Sequence, residues 1–480
     1  MFQRGTPPEA VYSFKHALVQ DAAHGSLLRG ARQQLHAQIA EALEADDPEV
    51  TDTHPELLAR HYAEAGLAEK SVVYWGKAGR RSAARSTMAE AAAQFQKGLD
   101  QLALLPTTPG RQLQELELRS ELGASLMVVK GYAARETADA FACARELWEQ
   151  LGSPSEFLHV PWGECRYLGF SGQLDAAQRL AEDLLHMSRQ RNESGGLVLG
   201  HLSSGRNLLF AGKLAQSQSH LREALALYEP SSHRSLVHHA GGDPHVNSQA
   251  LLGIVLFCLG YADQALAESD KAIAEARSLA NPPSLAVSFA CSAVLLSLLG
   301  DDLALGKRAE ELVIVATEQG FPLWRGQGTI YRGWAQTRTG EMGEGIPLLR
   351  SGSSAFRATG AERWVPYHLA LLARTCEITG QIDEAATLLD EALEIVERAG
   401  ERWFSAELNR LKGALLLRQG HAEAAAKLYL TALSRQGAGG ETLGIARFSV
   451  AIDSMQGPPL PTPRGADAKR TAWGEHDRES

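Results

Sequence analysis

A glycine that returns every 40 residues is the feature that most restricts the fold of this chain. Each copy ends one apolar run and precedes another, and the series consists of Gly260, Gly300, Gly340, Gly380 and Gly420. A fixed period of this length indicates stacked copies of one small structural unit. A second series with the same spacing marks the other end of the unit and consists of Gly320, Gly360 and Gly400.

Small residues recur at fixed distances from these glycines. Seven residues before each turn the chain places Gly253, Ala293, Gly333, Ala373 and Gly413. Five, nine and twelve residues after Gly380 come Ala385, Leu389 and Ala392. Small side chains let two helix backbones approach, and glycine readily takes the left-handed conformation that ends a helix. The pattern is typical of the tetratricopeptide helical hairpin, whose usual period is about 34 residues.

We therefore predict an all-α fold, a right-handed superhelical solenoid of tetratricopeptide-like helical hairpins with a period of about 40 residues. Neighbouring helices should be antiparallel because the turns between them are short. The small positions should be buried where the two helices of a hairpin cross. A generic helical bundle with coincidental glycines is the alternative, but it does not account for five anchors and a second series.

The repeats are less regular toward the amino terminus. Ser86 stands where the pattern would place a glycine, only 20 residues after Gly66, so one helix from about Ala68 to Arg85 should serve two neighbours. The next anchors are Gly131, Gly172 and Gly212. The step from there to Gly260 is eight residues longer, and the polar stretch 229–245 accounts for the additional residues.

The two ends of the chain do not follow the period. The sequence divides into residues 1–48, a separate amino-terminal segment, residues 49–433, the repeat array, and residues 434–480, a disordered tail rich in Pro and Gly. In the first segment, Tyr12 lies in a short predicted strand or turn, and 17–28 and 31–43 are predicted amphipathic helices.

The composition favours a folded chain without a membrane anchor. The net charge of −10, spread along the sequence, argues against non-specific binding to nucleic acid. We expect a cytoplasmic protein, since no signal peptide is evident and apolar runs such as 251–259 are too short to span a bilayer. The five cysteines are far apart, and we expect buried small side chains rather than a zinc site or disulfide framework.

No catalytic motif is present in the sequence. The stretch nearest to a phosphate-binding loop is GDDLALGKR, which begins at Gly300, but its glycines are one residue too far apart and no Ser or Thr follows Lys307. The motifs HExxH, GxSxG and GxGxxG do not occur. We therefore expect no enzyme activity, no cofactor and no resident metal ion.

The polar stretch 229–245 contains a cluster of histidines, which consists of His233, His238, His239 and His245. A metal site is one interpretation of such a cluster, although the spacing matches no known zinc pattern. An ordinary surface loop is the alternative, and we favour it.

Tryptophan and arginine recur together at the start of three successive first helices. The pairs are Trp324 with Arg325, Trp364 with Arg363, and Trp403 with Arg402. Because Trp and Arg dominate binding hot spots, these six residues are a candidate rim for a ligand or partner. The alternative, which their recurrence favours, is that each pair fills the same space between neighbouring repeats.

Three stretches resemble a known family. They are FQRGTPPEAVYSFKHALVQDAAHGSLL from Phe2, PELLARHYAEAGLAEKSVVYWGKAGRRSAARS from Pro55, and ATEQGFPLWRGQGTIYRGWA from Ala316. They are similar to the carboxy-terminal half of bacterial proteins in which a class III adenylate/guanylate cyclase domain and a STAND-type, AAA-like ATPase module precede a long tetratricopeptide (TPR) sensor region.

The resemblance implies that residues 1–48 are a remnant of the winged-helix region of the ATPase module. It also implies a nucleotide-phosphate contact for His16, in FKHALVQD, as the one candidate cofactor-binding residue. A packed histidine at the start of a helix is the alternative. The cyclase domain, the phosphate-binding loop and the acidic Mg²⁺ motif of the family are absent from the sequence.

The leading functional hypothesis is a non-catalytic sensor and interaction region that binds a protein or small-molecule signal on its concave face. In the full-length family, that event would regulate the attached ATPase and cyclase. One alternative is a fragment of a cyclase or ATP-binding regulator that retains partial nucleotide contact. Another is a scaffold that self-associates through the abrupt end of the array near Leu433. We expect neither nucleic acid nor membrane as a partner.

Overall fold

The computed structural model describes residues 2–4, 11–13, 27–46, 48–233, 236–237 and 242–437. In these residues nearly every element is a helix, which confirms the predicted all-α fold. The exception is a pair of antiparallel strands, β1 (Phe2–Arg4) and β2 (Val11–Ser13), which supports the predicted strand at Tyr12. The predicted helix 17–28 lies almost wholly outside the described residues.

The helices before residue 234 are α1 (Arg29–Asp46), α2 (Pro48–Thr53), α3 (Pro55–Ala65), α4 (Ala68–Ala84), α5 (Met88–Leu102), α6 (Pro109–Val129), α7 (Arg135–Gln150), α8 (His159–Phe170), α9 (Leu174–Arg191), α10 (Ser194–Phe210), α11 (Leu214–Leu227) and α12 (Pro230–His233), with a 3-10 turn at Ser155–Phe157. The later helices are α13 (Pro244–Cys258), α14 (Ala262–Ser278), α15 (Pro282–Leu299), α16 (Asp302–Glu318), α17 (Pro322–Arg338), α18 (Met342–Arg357), α19 (Val365–Ile378), α20 (Ile382–Ala399), α21 (Ser405–Arg418) and α22 (Ala422–Gly437). Helices adjacent in sequence pack side by side, as a helical-repeat solenoid requires.

The repeating glycines close helices in the way the sequence predicts. Gly300, for example, has φ +76° and donates its N–H to the carbonyl of Leu296, so it satisfies one of the last carbonyls of α15. Ser86, which replaces glycine in the pattern, has φ +61° and occupies the same left-handed region. The serine therefore carries backbone strain that a glycine would not.

Small residues lie at the helix crossings. A Cβ on Gly333 would stand 2.7 Å from the carbonyl oxygen of Gly345 and 2.7 Å from the amide nitrogen of Leu349, so helices α17 and α18 touch backbone to backbone. At the equivalent position of the next hairpin, Ala373 is 2% exposed. A Cβ on Gly413 would stand 3.0 Å from Cε1 of the Tyr429 ring. The predicted burial of these positions is confirmed.

Some hairpins add a hydrogen bond at the crossing. The hydroxyl of Ser71 donates to the carbonyl of Ala59 over 2.8 Å, and Ser217 donates to the carbonyl of Gly205 over 2.6 Å. Both serines occupy the position five residues after the turn. A buried hydroxyl at this point stays satisfied without widening the helix pair.

Helix α4 packs against both α3 and α5, as the 20-residue step predicts. Helix α1 extends the array further toward the amino terminus. The Glu44 carboxylate accepts hydrogen bonds from the hydroxyls of Tyr62 and Tyr74, and Lys70 lies 3.2 Å from the same carboxylate. The Tyr62 hydrogen bond is the main cause that lowers the pKa of Glu44.

One apolar helix departs from the expectation from the sequence. Helix α15 has 18 residues and a mean hydropathy of 1.8, so by length and composition it could cross a bilayer, and our expectation that no run is long enough was wrong. However, 78% of this stretch is buried inside the solenoid. A helix that is hydrophobic all round and enclosed by other helices is typical of a core.

The last described helix leaves apolar side chains uncovered. Leu430 is 65% exposed and Leu433 is 62% exposed. Residues 438–480, which include most of the predicted disordered tail, lie outside the described part of the chain.

Candidate functional site

The solenoid curls until its late repeats return to its early ones. The carbonyl of Phe170 accepts the N–H of Glu362 over 2.8 Å, and the carbonyl of Phe210 accepts the N–H of Arg402 over 2.6 Å. Each pair is 192 residues apart in the sequence (362 against 170, and 402 against 210). Phe170 and Phe210 are the last residues of α8 and α10, whose terminal carbonyls have no partner within their helices. We call this meeting of the two parts the closure contact.

Glycines let the early and late repeats approach closely at the closure contact. A Cβ on Gly131 would stand 3.0 Å from the Cβ of Thr359, and a Cβ on Gly360 would stand 2.6 Å from the carbonyl oxygen of Ala133. Both glycines also have positive φ values, +116° and +80°. The left-handed backbone and the short distance both favour glycine here.

The three tryptophans of the candidate rim are buried inside the solenoid. Trp324 meets Tyr132 edge to face with 5.8 Å between ring centroids. Trp364 meets Phe210 in the same way at 4.8 Å, and Trp403 packs behind Trp364 at 5.2 Å. The contact of Trp364 with Trp403 lies between neighbouring repeats, as we expected. Trp324 and Trp364 also fill space between early and late repeats, which we had not expected.

The three arginines of the candidate rim separate into two environments. Arg363 is 2% exposed, and its guanidinium lies 4.9 Å from the ring centroid of Phe170 and 4.4 Å from that of Phe210. Arg325 and Arg402 are exposed. These six residues therefore do not form a continuous surface rim, and the ligand contact of Trp324, Arg363 and Trp364 remains a prediction.

A cavity of about 30 Å³ lies at the closure contact, where the volume is the space open to the centres of water molecules. Its charged and polar lining consists of Arg166, Arg206, Asn247, Gln327 and Arg363. Aromatic rings form much of the remaining wall and belong to Phe170, Phe210, Trp324 and Trp364. We call it the closure cavity. A volume of this size holds water or a small polar group, since one water needs about 10–15 Å³ by this measure.

The wall of the closure cavity is strongly cationic. Arg206 is 6% exposed, and burial together with the nearby charges of Arg166 and Arg363 lowers its pKa. Burial lowers the pKa of Arg363 to about 10, so this group still carries its charge at neutral pH. Arg166 is 3% exposed and lies over the ring of Tyr132, 4.2 Å from its centroid.

One buried carboxylate lies beside this cationic wall. The Oε1 atom of Glu401 accepts the indole N–H of Trp403 over 2.9 Å, and Oε2 accepts the backbone N–H of Trp364 over 3.3 Å. Burial raises the pKa of Glu401 to about 7, although these hydrogen bonds and the charge of Arg363 act in the opposite direction. At neutral pH Glu401 therefore supplies only part of one negative charge.

Several polar atoms at the cavity have no protein partner. Among the described residues, no hydrogen bond is made by Nη1 of Arg363, by either side-chain polar atom of Asn247, or by Oε1 of Gln327. Asn247 and Gln327 are each 1% exposed. Buried polar groups are rarely left unpaired, so a polar occupant is the expected partner of these atoms.

The sequence contains a signal for this site that we did not use. Arg166 stands six residues before Gly172, and Arg206 stands six residues before Gly212. Both occur in the pattern Arg-x-Leu-x-Phe-x-Gly, inside otherwise apolar helix ends. An arginine repeated at an inward position of two successive repeats indicates a shared binding task more strongly than a single buried charge does.

The remaining candidate residues are not brought together. His16 lies outside the described residues. His233 is buried, and Nδ1 of His245 lies 2.9 Å from the carboxylate of Glu275, while His238 and His239 lie outside the described part. Within the described residues no group of three or more His, Cys, Asp or Glu could hold a metal ion. All five cysteines are free, and four of them are buried.

No protein-family model matches this chain. It is 24% identical over 417 residues to the uncharacterized protein R02095 of Rhizobium meliloti (strain 1021), and this match covers 86% of the chain. The chain spans only 40% of the length of that relative.

A solved structure shows the same fold. The chain is similar to a Rap protein complexed with competence and sporulation factor, with a TM-score of 0.54 and 12% identity over 79% of this chain and 99% of that one. A human IFIT1 dimer with PPP-AAAA gives a TM-score of 0.42 and 12% identity, covering 84% of this chain and 85% of that one. At 12% identity the likeness to the Rap protein is one of fold, and it supports the TPR-like helical-repeat solenoid that the helix packing shows.

Proposed function

We propose that this chain is a non-catalytic sensor region that binds its signal in the closure cavity. The proposal rests on the observation that both early and late repeats contribute residues to the cavity wall. Arg166 and Arg206 come from early repeats, whereas Arg363 and Trp364 come from late ones. An occupant would bridge the two parts and would stabilise the closed arrangement over a more open one. A ligand shifts such an equilibrium only through its different affinity for the two states.

The similar fold of the Rap protein supports a binding role, because that protein was solved in complex with a factor. A solenoid also suits this task physically. Its repeats contact only their neighbours, so a contact between distant repeats can open without unfolding the hairpins. The absence of catalytic motifs from the sequence favours binding over chemistry.

We propose further that the signal acts on domains outside this chain. The Rhizobium meliloti relative extends well beyond the matched part. The resemblance of the sequence to cyclase–ATPase–TPR proteins makes an ATPase module and a nucleotide cyclase the domains to test. Closing or opening the solenoid would then change how those domains are held.

Binding in the cavity can be tested with the whole chain and a variant that fills the site. Ala290 is a cavity-lining residue that is 1% exposed, and Ala290→Leu would occupy the space. Ala267→Leu, on the exposed face of α14, is the matched control. Native mass spectrometry after incubation with fractionated small molecules and peptides should show one ligand retained by the wild type and the control but lost by Ala290→Leu. Retention by Ala290→Leu would place the ligand elsewhere.

Activity assays separate this proposal from the nucleotide-contact alternative. We expect the chain neither to cyclise ATP or GTP nor to hydrolyse ATP, because these reactions need metal ions held by carboxylates and a phosphate cradle. ATP binding of micromolar affinity or better that His16→Ala abolishes would instead support a functional nucleotide contact in residues 1–48.

A further inference from the structure

The charges at the closure cavity do not balance. Among the described residues Arg206 forms no hydrogen bond or ion pair, and the groups whose charges act on it are Arg166, Arg363, Cys165 and Tyr132. None of these is a carboxylate. A buried guanidinium without a counter-charge is costly, because water no longer solvates it and nothing replaces that solvation.

Arg363 is only partly compensated. Its Nη2 atom donates to Oδ1 of Asn207 over 3.2 Å, and Nη1 is buried without a partner among the described residues. This guanidinium lies directly against the backbone of α8, since a Cβ on Gly169 would overlap Nη2. Two buried arginines with spare donors therefore line one cavity, and arginine suits the planar, two-oxygen geometry of a carboxylate.

The shape of the site limits the size of the anionic group. The closure cavity, with about 30 Å³ open to the centres of water molecules, accommodates a group of a few heavy atoms. Apart from the arginines, Asn247 and Gln327, the wall is apolar and aromatic, and Phe210, Trp324 and Trp364 contact the cavity. A ligand that matched this wall would carry one small anionic group on an apolar or aromatic body.

We infer that the closure cavity binds an organic carboxylate, whose oxygens lie between the guanidinium groups of Arg206 and Arg363. The inference rests on the proposed function, since it names the chemical class of the signal at that same site. Asn247, which is 1% exposed and has no partner for either polar atom among the described residues, offers the ligand a further donor and acceptor.

The test measures thermal unfolding of the full chain with simple probes. Sodium benzoate, sodium acetate, sodium phosphate and sodium chloride are compared at equal ionic strength, and benzamide serves as the neutral analogue of benzoate. Benzoate should raise the unfolding midpoint in a saturable way, acetate should do so at higher concentration, and chloride and benzamide should not. Binding to the folded state alone produces this dependence on concentration.

Arg206→Met provides the decisive variant because it keeps the length of the side chain and removes the charge. It should weaken benzoate binding by about tenfold or more, as expected for losing a charged hydrogen bond. In chloride alone it should unfold at or above the wild-type temperature, since an uncompensated buried charge has been removed. Arg206→Lys should retain part of the benzoate response. Arg222→Met, at an exposed arginine, is the control and should behave like the wild type.

Each other outcome would overturn the inference in a recognisable way. An undiminished benzoate response in Arg206→Met would show that Arg206 does not bind the carboxylate. Equal effects of benzamide and benzoate would show that a neutral ligand binds, and the proposed sensor function would survive without the carboxylate. Stabilisation by phosphate through Arg206, with none by benzoate, would replace the carboxylate with a phosphate. No response to any probe would refute anion binding, while the native mass spectrometry test of the sensor function would stand independently.

Discussion

Replacing Gly333 by alanine tests the packing rule of the repeats at a crossing where two helix backbones touch. The new Cβ would stand 2.7 Å from two backbone atoms of α18, in Gly345 and Leu349. Ordinary contacts of a Cβ begin near 3.4 Å, so the two helices would have to separate by several tenths of an ångström. Overpacking of this kind costs about 1–3 kcal/mol, and the rigid backbone on both sides places the cost in the upper half of that range.

A second effect of the substitution has the opposite sign. Alanine is favoured over glycine inside a helix by about 0.5–1 kcal/mol. The net destabilisation expected for Gly333→Ala is therefore about 1–2 kcal/mol. Gly306→Ala is the matched control, because a Cβ there would meet only the Cβ of Ala335 at 3.7 Å. The control gains helix propensity without overpacking and should stabilise the chain slightly.

Urea unfolding followed by circular dichroism measures both variants. The midpoint should fall for Gly333→Ala and stay constant or rise for Gly306→Ala. If Gly333→Ala unfolded at the same urea concentration as Gly306→Ala, or at a higher one, the backbone contact between α17 and α18 would not exist as described. The argument that small residues set the helix spacing would then fail.

Four further substitutions give expected outcomes. Ser86→Gly should raise the thermal midpoint, since it relieves a left-handed serine at φ +61° that costs about 1–2 kcal/mol; a lower midpoint would contradict this. Ala373→Leu should destabilise by about 1–3 kcal/mol through overpacking, and an unchanged melting curve would show that the residue faces solvent. Gly169→Ala should displace the Arg363 guanidinium and weaken benzoate binding, whereas unaltered affinity would mean that the guanidinium is not held there. Glu401 has a pKa raised to about 7, so it stabilises the fold below its unfolded pKa near 4.5, and this contribution is lost as pH rises toward 7. Glu401→Gln should therefore flatten the decline of the thermal midpoint over that interval, and an unaltered slope would show that Glu401 is not buried as described.

The repeat architecture follows from the sequence because its causes are local. A turn needs a residue that tolerates positive φ, and a close crossing needs a small side chain, so both leave marks at fixed spacing. Gly300 and Gly333 can be assigned to these two tasks from the sequence alone. Even the irregular turn at Ser86 was predictable, since its neighbours kept the same offsets.

The closure contact could not be predicted in the same way. It joins residues 192 positions apart, such as Phe170 and Glu362, and the period carries no information about which repeats meet after the solenoid has curled. The recurrence of Trp364 and Trp403 suggested equivalent places between neighbouring repeats. In the structure, Trp364 does pack against Trp403 of the next repeat, but it also packs across the closure contact against Phe210.

The proposed binding site could not be predicted from the sequence for a related reason. On a helical wheel Arg206 resembles any charged residue near a helix end, where a long side chain usually reaches solvent. Its burial depends on the late repeats that cover it. Helix α15 shows the converse, because its apolar sequence satisfies the length criterion for a membrane span and only its place inside the solenoid identifies it as a core helix.

Amide hydrogen exchange at the closure contact tests the central claim most directly, because the proposed binding site exists only if early and late repeats meet. The amides of Glu362 and Arg402 donate to the carbonyls of Phe170 and Phe210, so they should exchange as slowly as amides inside the helices. The amide of Asp383, in the exposed first turn of α20, should exchange rapidly and serves as the reference. Exchange of Glu362 and Arg402 at the rate of Asp383 would show that the solenoid is open, and the closure cavity would then have no second wall.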